Sequence, residues 1–106
     1  LIKKEHEFYV QVNIGEEAHK NGCAPNKAIE FINECNSQGL KITGVMGIAP
    51  LNVAPAPYFA LLKHIANKLS LKNISMGMSM DFEDAIYLGS TSIRIGTKIF
   101  GERKKL

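Results

Sequence analysis

The most restrictive stretch of the chain is Lys41 to Ala49, KITGVMGIA. Its apolar residues do not alternate with polar ones, so it reads as a strand buried on both faces. That is the pattern of a parallel strand covered by helices. Parallel strands cannot be joined by a tight hairpin and need a crossover, usually a helix. The segments on either side must therefore supply helices that return the chain to the same end of the sheet.

They have the residues to do so. Phe8, Val10, Val12 and Ile14 point one way and Tyr9, Gln11 and Asn13 the other, the period of a strand. Gly15-Glu16-Glu17 ends it, and a polar loop runs through Asn21-Gly22. Pro25 suits the first turn of a helix, in which Ala28, Ile29, Ile32 and Cys35 recur at helical spacing with Phe31 beside them. Gly39 fits the position just past that helix, with Leu40 placed for the usual hydrophobic contact. Pro50 to Pro57 carries three prolines and is a loop longer than a connection needs. Tyr58, Leu61, Leu62, Ile65, Ala66 and Leu69 then form the clearest amphipathic helix, with Lys63, His64, Asn67 and Lys68 on its wet side. Ile74 to Met76 is a strand. The next helix starts between Ser79 and Asp81, either of which can cap it, buries Phe82, Ala85 and Ile86, and stops at Gly89. Ser92 to Ile95 is the last strand, and Ile99 and Phe100 make the following segment pack down.

The order is β-α-β-α-β-α-β, an α/β fold with right-handed crossovers. If the strands lie in sequential order, all three helices fall on one face. The other face is then bare and both edge strands are unpaired. A closed barrel removes both problems, and four βα units are half of a TIM-type barrel, strands 5 to 8. A small doubly wound sheet is the competing architecture.

At 106 residues the chain is one domain. Its net charge of +3 owes much to Lys3-Lys4 and Arg103-Lys104-Lys105 at the ends, and no basic stripe with interleaved aromatics indicates nucleic acid. Cys23 and Cys35 are too far apart for a CxxC pair, and Cys35 reads as a buried thiol within a helix. His6, His19 and His64 lack metal-ligand spacing. No apolar run is long enough to cross a bilayer, and no signal peptide is present, so a cytoplasmic location without a membrane partner is expected. The chain begins at Leu1 and enters a strand within a few residues, which suggests that its beginning has been lost.

Chemistry concentrates in Ile74 to Gly101. Two strands end in small polar residues, Gly77-Met78-Ser79 and Gly96-Thr97, and one opens towards a helix. Glycines let backbone N–H groups approach an anion, hydroxyls add donors, and the helix start adds positive potential. In (β/α)8 barrels the loops after the last two strands often hold phosphate. Arg94, between Ile93 and Ile95, is expected to face the lumen with Ser92 and Gly96, either paired internally or donating to a ligand. Ser75 faces the same way. Asn13 and Gln11 face the same side at the top of the first strand and can contact a ligand ring or simply make a satisfied hydrogen bond in the lumen. Met46, Met76 and Met78 read as core filling. Asp81, Glu83 and Asp84 suit a helix start. No nucleophile–base pair is visible, and no lysine ends an apolar strand.

SMGMSMDFEDAI (Ser75 to Ile86) followed by STSIRIGTKIFGER (Ser90 to Arg103) resembles the C-terminal end of the YggS/PROSC-type pyridoxal phosphate homeostasis family, of the alanine-racemase N-terminal-domain barrel superfamily. FYVQVNIGEEAHKNG (Phe8 to Gly22) and GLKITGVMGIAP (Gly39 to Pro50) resemble its fifth and sixth barrel strands, so the resemblance covers nearly the whole chain. It implies a pyridoxal 5'-phosphate-binding protein of cofactor and amino-acid homeostasis, without established turnover. Ser79 with the backbone at Met78, and Gly96 with Thr97, would bind the phosphate, and Arg94 would meet the pyridine nitrogen. An arginine there weakens the ring as an electron sink, as suits a carrier or a restrained racemase better than a transaminase. The family's cofactor-linking lysine sits on the first barrel strand, which has no counterpart here. The expectation is a C-terminal half-barrel spanning residues 1–106, whose open edges are covered by the missing half or by self-association. A racemase of the same superfamily and a phosphate-binding half-barrel of a biosynthetic enzyme are the alternatives.

Overall fold

A computed structural model describes residues 7–18 and 21–94, with Arg94 described by its backbone alone. Its elements are β1 (Phe8–Gln11), a 3-10 turn (Pro25–Lys27), α1 (Ala28–Ser37), β2 (Ile42–Met46), α2 (Ala56–Lys68), β3 (Asn73–Met78), α3 (Phe82–Tyr87) and β4 (Ser92–Arg94). The sheet is wholly parallel and its strand order is β1-β2-β3-β4, as expected. α1 touches α2 and α2 touches α3. With right-handed crossovers, that places the helices as one layer on one face.

Register defines the two faces. Val10, Val45 and Ile74 are partners across β1, β2 and β3 and are all buried under the helices. One residue further on, Gln11, Met46, Ser75 and Ser92 form a row across all four strands. Side chains in such a row share a face, and neighbouring residues along a strand alternate. The row therefore lies on the face without helices, and it is mostly polar.

The core is built where these strands meet the helical stripes. Phe59, Leu62, Ile65 and Ala66 of α2 are buried against Val12, Ile14 and Val45, with Ala28 and Ile32 from α1 and Ala85 from α3. Phe59 was absent from the expected stripe, which was anchored on half-buried Tyr58. The helix starts at Ala56 with Pro57 in its first turn, so the loop is shorter than Pro50 to Pro57. Pro55 accepts the first amides, from Tyr58 at 3.0 Å and Phe59 at 3.1 Å.

Other expectations shift by smaller amounts. Pro25 opens the 3-10 turn rather than α1 itself. Ile29 and Phe31 are exposed on α1's outer side, and Cys35 is half-buried. β1 ends at Gln11, because Val12 and Cys23 form a parallel bridge that draws the next segment over its outer edge. Asn13 N–H donates to the Cys23 carbonyl at 2.8 Å, and Cys23 N–H to that of Gln11 at 3.0 Å. The polar loop through Asn21-Gly22 is thus partly tied to the sheet.

Candidate functional site

β3 ends in a distorted strand tip. Gly77 has φ of +106°, a conformation that side chains resist. A Cβ there would lie 2.7 Å from the Ala85 Cβ and 3.1 Å from the Ile93 Cγ2. The missing side chain therefore lets α3 lie directly on the strand end. The register also slips between Ser75 and Met78: Ser75 pairs with Ser92, but Met78 pairs with Arg94. Three steps on β3 match two on β4, a bulge that re-aims the strand tip.

Beyond the tip the chain turns once before α3. Asp81 N–H donates to the Met78 carbonyl at 3.1 Å, and Met78 N–H donates to Asp81 Oδ1 at 2.7 Å. The turn is closed from both sides, and α3 begins only at Phe82. Ser79 is therefore not the cap expected from the sequence. Asp81 holds the N-cap position, yet its carboxylate reaches back to the strand instead of capping the helix. Among the described residues, Ser79's hydroxyl makes no hydrogen bond, and Ser79 lines the clefts at this end of the sheet. The Met78 amide already faces an anionic oxygen, so Asp81 acts as a stand-in anion. A phosphate oxygen at this amide would have to replace that carboxylate.

Two hydroxyls that the sequence reading did not single out fix β4 beside β3. The Ser90 hydroxyl lies 2.7 Å from the Met76 carbonyl and 2.8 Å from that of Ser92. Thr91 Oγ1 accepts the Ile74 N–H at 2.8 Å, while the Thr91 N–H donates to the Ile74 carbonyl at 2.8 Å. The signal was the run Ser90-Thr91-Ser92 before an apolar strand. Its hydroxyls do the work of ladder bonds that so short a strand lacks.

The expected site residues are brought together only in part. Met78 and Ser79 adjoin, and Arg94 is Met78's partner in register. Gly96 and Thr97, like Arg94's side chain, lie outside the described residues, as do Ile95, His6 and His19. Asn13 lies just past β1, which β2 separates from β3. Both ends of its amide are engaged locally: Nδ2 donates to the Glu17 carbonyl at 2.7 Å, and Oδ1 accepts the Glu17 N–H at 3.1 Å. Met76 is core, Met46 is half-buried, and Met78, expected in the core, is 40% exposed at the cleft. The Cys23 thiol is pushed up from 9.0, mainly by burial, with a further contribution from Cys35, although a backbone hydrogen bond opposes the shift. It is a poor nucleophile at neutral pH. Among the described residues no cluster of His, Cys, Asp and Glu is arranged to hold a metal ion.

Residues 2–104 match the family described as "Alanine racemase, N-terminal domain". The chain is 40% identical over 105 residues to the pyridoxal phosphate homeostasis protein of Aquifex aeolicus, covering 90% of this chain and 46% of that one. It is 38% identical over 108 residues to the protein of the same name from Pongo abelii, covering 89% and 39%. Among solved structures, PipY of Synechococcus elongatus with PLP bound superposes with a TM-score of 0.72 at 29% identity, over 90% of this chain and 49% of that one. The chain thus spans less than half the length of each of these relatives. A match of this extent, on a parallel sheet whose helices share one face, makes the chain a member of the alanine racemase N-terminal-domain family.

Proposed function

We propose that the chain is the later half of a (β/α)8 barrel, strands 5 to 8, that binds pyridoxal 5'-phosphate and serves cofactor and amino-acid homeostasis in the cytoplasm without substrate turnover. Several observations support the reading. The strand order is sequential with one face open. Two relatives carry the name pyridoxal phosphate homeostasis protein, and PipY has been solved with the cofactor bound. The observation that carries the site is the Met78 amide, already donating to an anionic oxygen at 2.7 Å, beside the Ser79 hydroxyl, which has no hydrogen-bond partner among the described residues. That donor set fits a phosphate.

In this reading Ser79 and the Met78 amide take phosphate oxygens, with Gly96 and Thr97 completing the cradle from the next strand. Arg94 meets the pyridine nitrogen, and Asn13 borders the ring from β1. When bound, the cofactor supplies an aldehyde that captures primary amines reversibly. The lysine that links it covalently comes from the other half of the barrel, so this chain alone holds the cofactor weakly and through its phosphate.

Equilibrium dialysis of the chain against pyridoxal phosphate and against pyridoxal tests this. Retention of the phosphorylated form alone is expected, with competition by inorganic phosphate. Ser79→Ala is expected to weaken it about tenfold, the worth of one hydrogen bond to a charged group. Equal retention of pyridoxal, or a stable one-to-one covalent absorbance band on this chain by itself, refutes the reading.

A further inference from the structure

The loop after β1 and the segment after β2 grip each other through two glycines. Ile14 of the first lies over Gly47 of the second, where a Cβ would sit 3.0 Å from the Ile14 Cδ1 and 3.3 Å from its Cγ1. Pro50 of the second lies over Gly15 of the first, where a Cβ would sit 2.5 Å from the Pro50 Cγ and 3.1 Å from its Cδ. Each side thus offers bare backbone to the other's side chain. Both sides are also braced on their own account. Asn13 Nδ2 donates to the Glu17 carbonyl at 2.7 Å, Asn13 Oδ1 accepts the Glu17 N–H at 3.1 Å, and the Glu16 N–H donates to the Asn13 carbonyl at 3.0 Å. Ile14, inside that turn, is buried. On the other side the Gly47 N–H donates to the Ser75 carbonyl at 3.1 Å, and Ala49 is buried.

The segment held in this way is a wall of the strand-tip cleft. Ile48, Ala49 and Leu51 enclose about 210 Å³ together with Met78, Ser79 and Met80. Gly15 lines none of the clefts at this end. Leu51 is 70% exposed, so its place is set by the backbone that carries it rather than by packing of its own side chain. We propose that Gly15 and Pro50 are positioning residues for a phosphate-bearing ligand: their contact fixes the wall that faces Ser79 and the Met78 amide. This rests on the phosphate reading of the strand tip. The contact can transmit a displacement because the proline ring is fused to the backbone. A group that presses on it cannot be relieved by a change of rotamer, so the 47–51 backbone must move. At Gly47 the opposing atoms are the outer end of Ile14, which can turn aside.

Gly15→Ala isolates the contact, because Gly15 is not among the glycines with positive φ and alanine strains no backbone there. With the methionine methyls labelled with carbon-13, the variant is expected to shift Met78 and Met80, which share the cleft, and to leave Met76 of the core unmoved. Equilibrium dialysis should show pyridoxal phosphate retained about fivefold more weakly, the size of a coupling between residues in contact. Pro50→Ala removes the two ring atoms that the new Cβ meets. By itself it introduces no clash and should still shift both methyls, with a smaller loss of retention. In the double variant it should bring methyl positions and retention back to the level of Pro50→Ala alone, a reversal that a general loss of stability does not produce. Unmoved Met78 and Met80 in either single variant, or a double variant as weak as Gly15→Ala, overturns the proposal. A wild-type chain that retains no pyridoxal phosphate overturns the phosphate reading instead, and the methyl shifts with their reversal still decide whether the loop after β1 sets the wall.

Discussion

Two glycines with the same backbone sign separate strain from crowding. Gly39 has φ of +96° and nothing within 4 Å of a built Cβ, whereas Gly77 has φ of +106° and the Ala85 Cβ at 2.7 Å. Gly39→Ala should therefore cost backbone strain alone, about 1 kcal/mol. Gly77→Ala adds overpacking against α3 and should cost about 3 kcal/mol in all. Urea unfolding of the two variants checks the difference, and equal costs would mean that α3 gives way freely. Gly39 was legible in the sequence because a glycine after a helical stripe has one common use. Gly77 was legible only as a glycine near a possible anion. Its second function, letting α3 approach, depends on Ala85 and Ile93, which no local pattern links to it. The same limit applies to Asp81. The sequence suggested a helix cap, but the carboxylate bonds to a strand amide, and that choice depends on the bulge between Ser75 and Met78.

The three described helices end in the same way, and the third uses the ending differently. After α1 the Leu40 N–H reaches back to Cys35 at 3.1 Å; after α2 the Leu71 N–H reaches Ala66 at 2.9 Å; after α3 the Ser90 N–H reaches Ala85 at 2.8 Å. Leu40 and Leu71 then pack on the core, as this motif usually does. Ser90 stands in the equivalent place and spends its side chain on Met76 of β3 instead. Ser90→Ala should thus cost about 2 kcal/mol, the penalty for leaving a buried acceptor unpaired. The loss should be local: amide exchange should quicken at Met76 and Thr91 and stay unchanged in β1 and β2. Exchange that quickened evenly across the sheet would mean that the hydroxyl is not a β3–β4 fastener. Element existence was legible throughout, because four apolar runs alternate with helical spacing. Which residues each short element buries was not. α3 is six residues long, and its one inward turn is centred on Ala85, so Ile86, expected inside, is 52% exposed.

For the whole molecule, the arrangement that follows from sequential strand order is also its weakness. Helices cover one face, while the other carries the row Gln11, Met46, Ser75 and Ser92, with Tyr9 also exposed. Among the described residues, β1's outer edge is covered only near its top, where the Cys23 segment bonds to Gln11 and Asn13. No described residue pairs with its lower part, and an unpaired edge of this kind accepts any strand that approaches. A mostly polar row is a poor core for a sandwich of two sheets, but it suits the lumen of a barrel. The open face should therefore be sticky at its edge and its one methionine rather than across its whole area. The 11.7 kDa chain is accordingly expected to self-associate in solution. Met46→Lys places a charge at the centre of that row and should shift the population to monomer without lowering the thermal midpoint, because the side chain is not in the helix-facing core. Light scattering coupled to size exclusion distinguishes the outcomes. A wild-type chain that stays monomeric at high concentration and unfolds cooperatively would show that the open face needs no cover. The half-barrel reading, which rests on that need, would then lose its physical basis, while the strand-tip turn and its aspartate would stand as described.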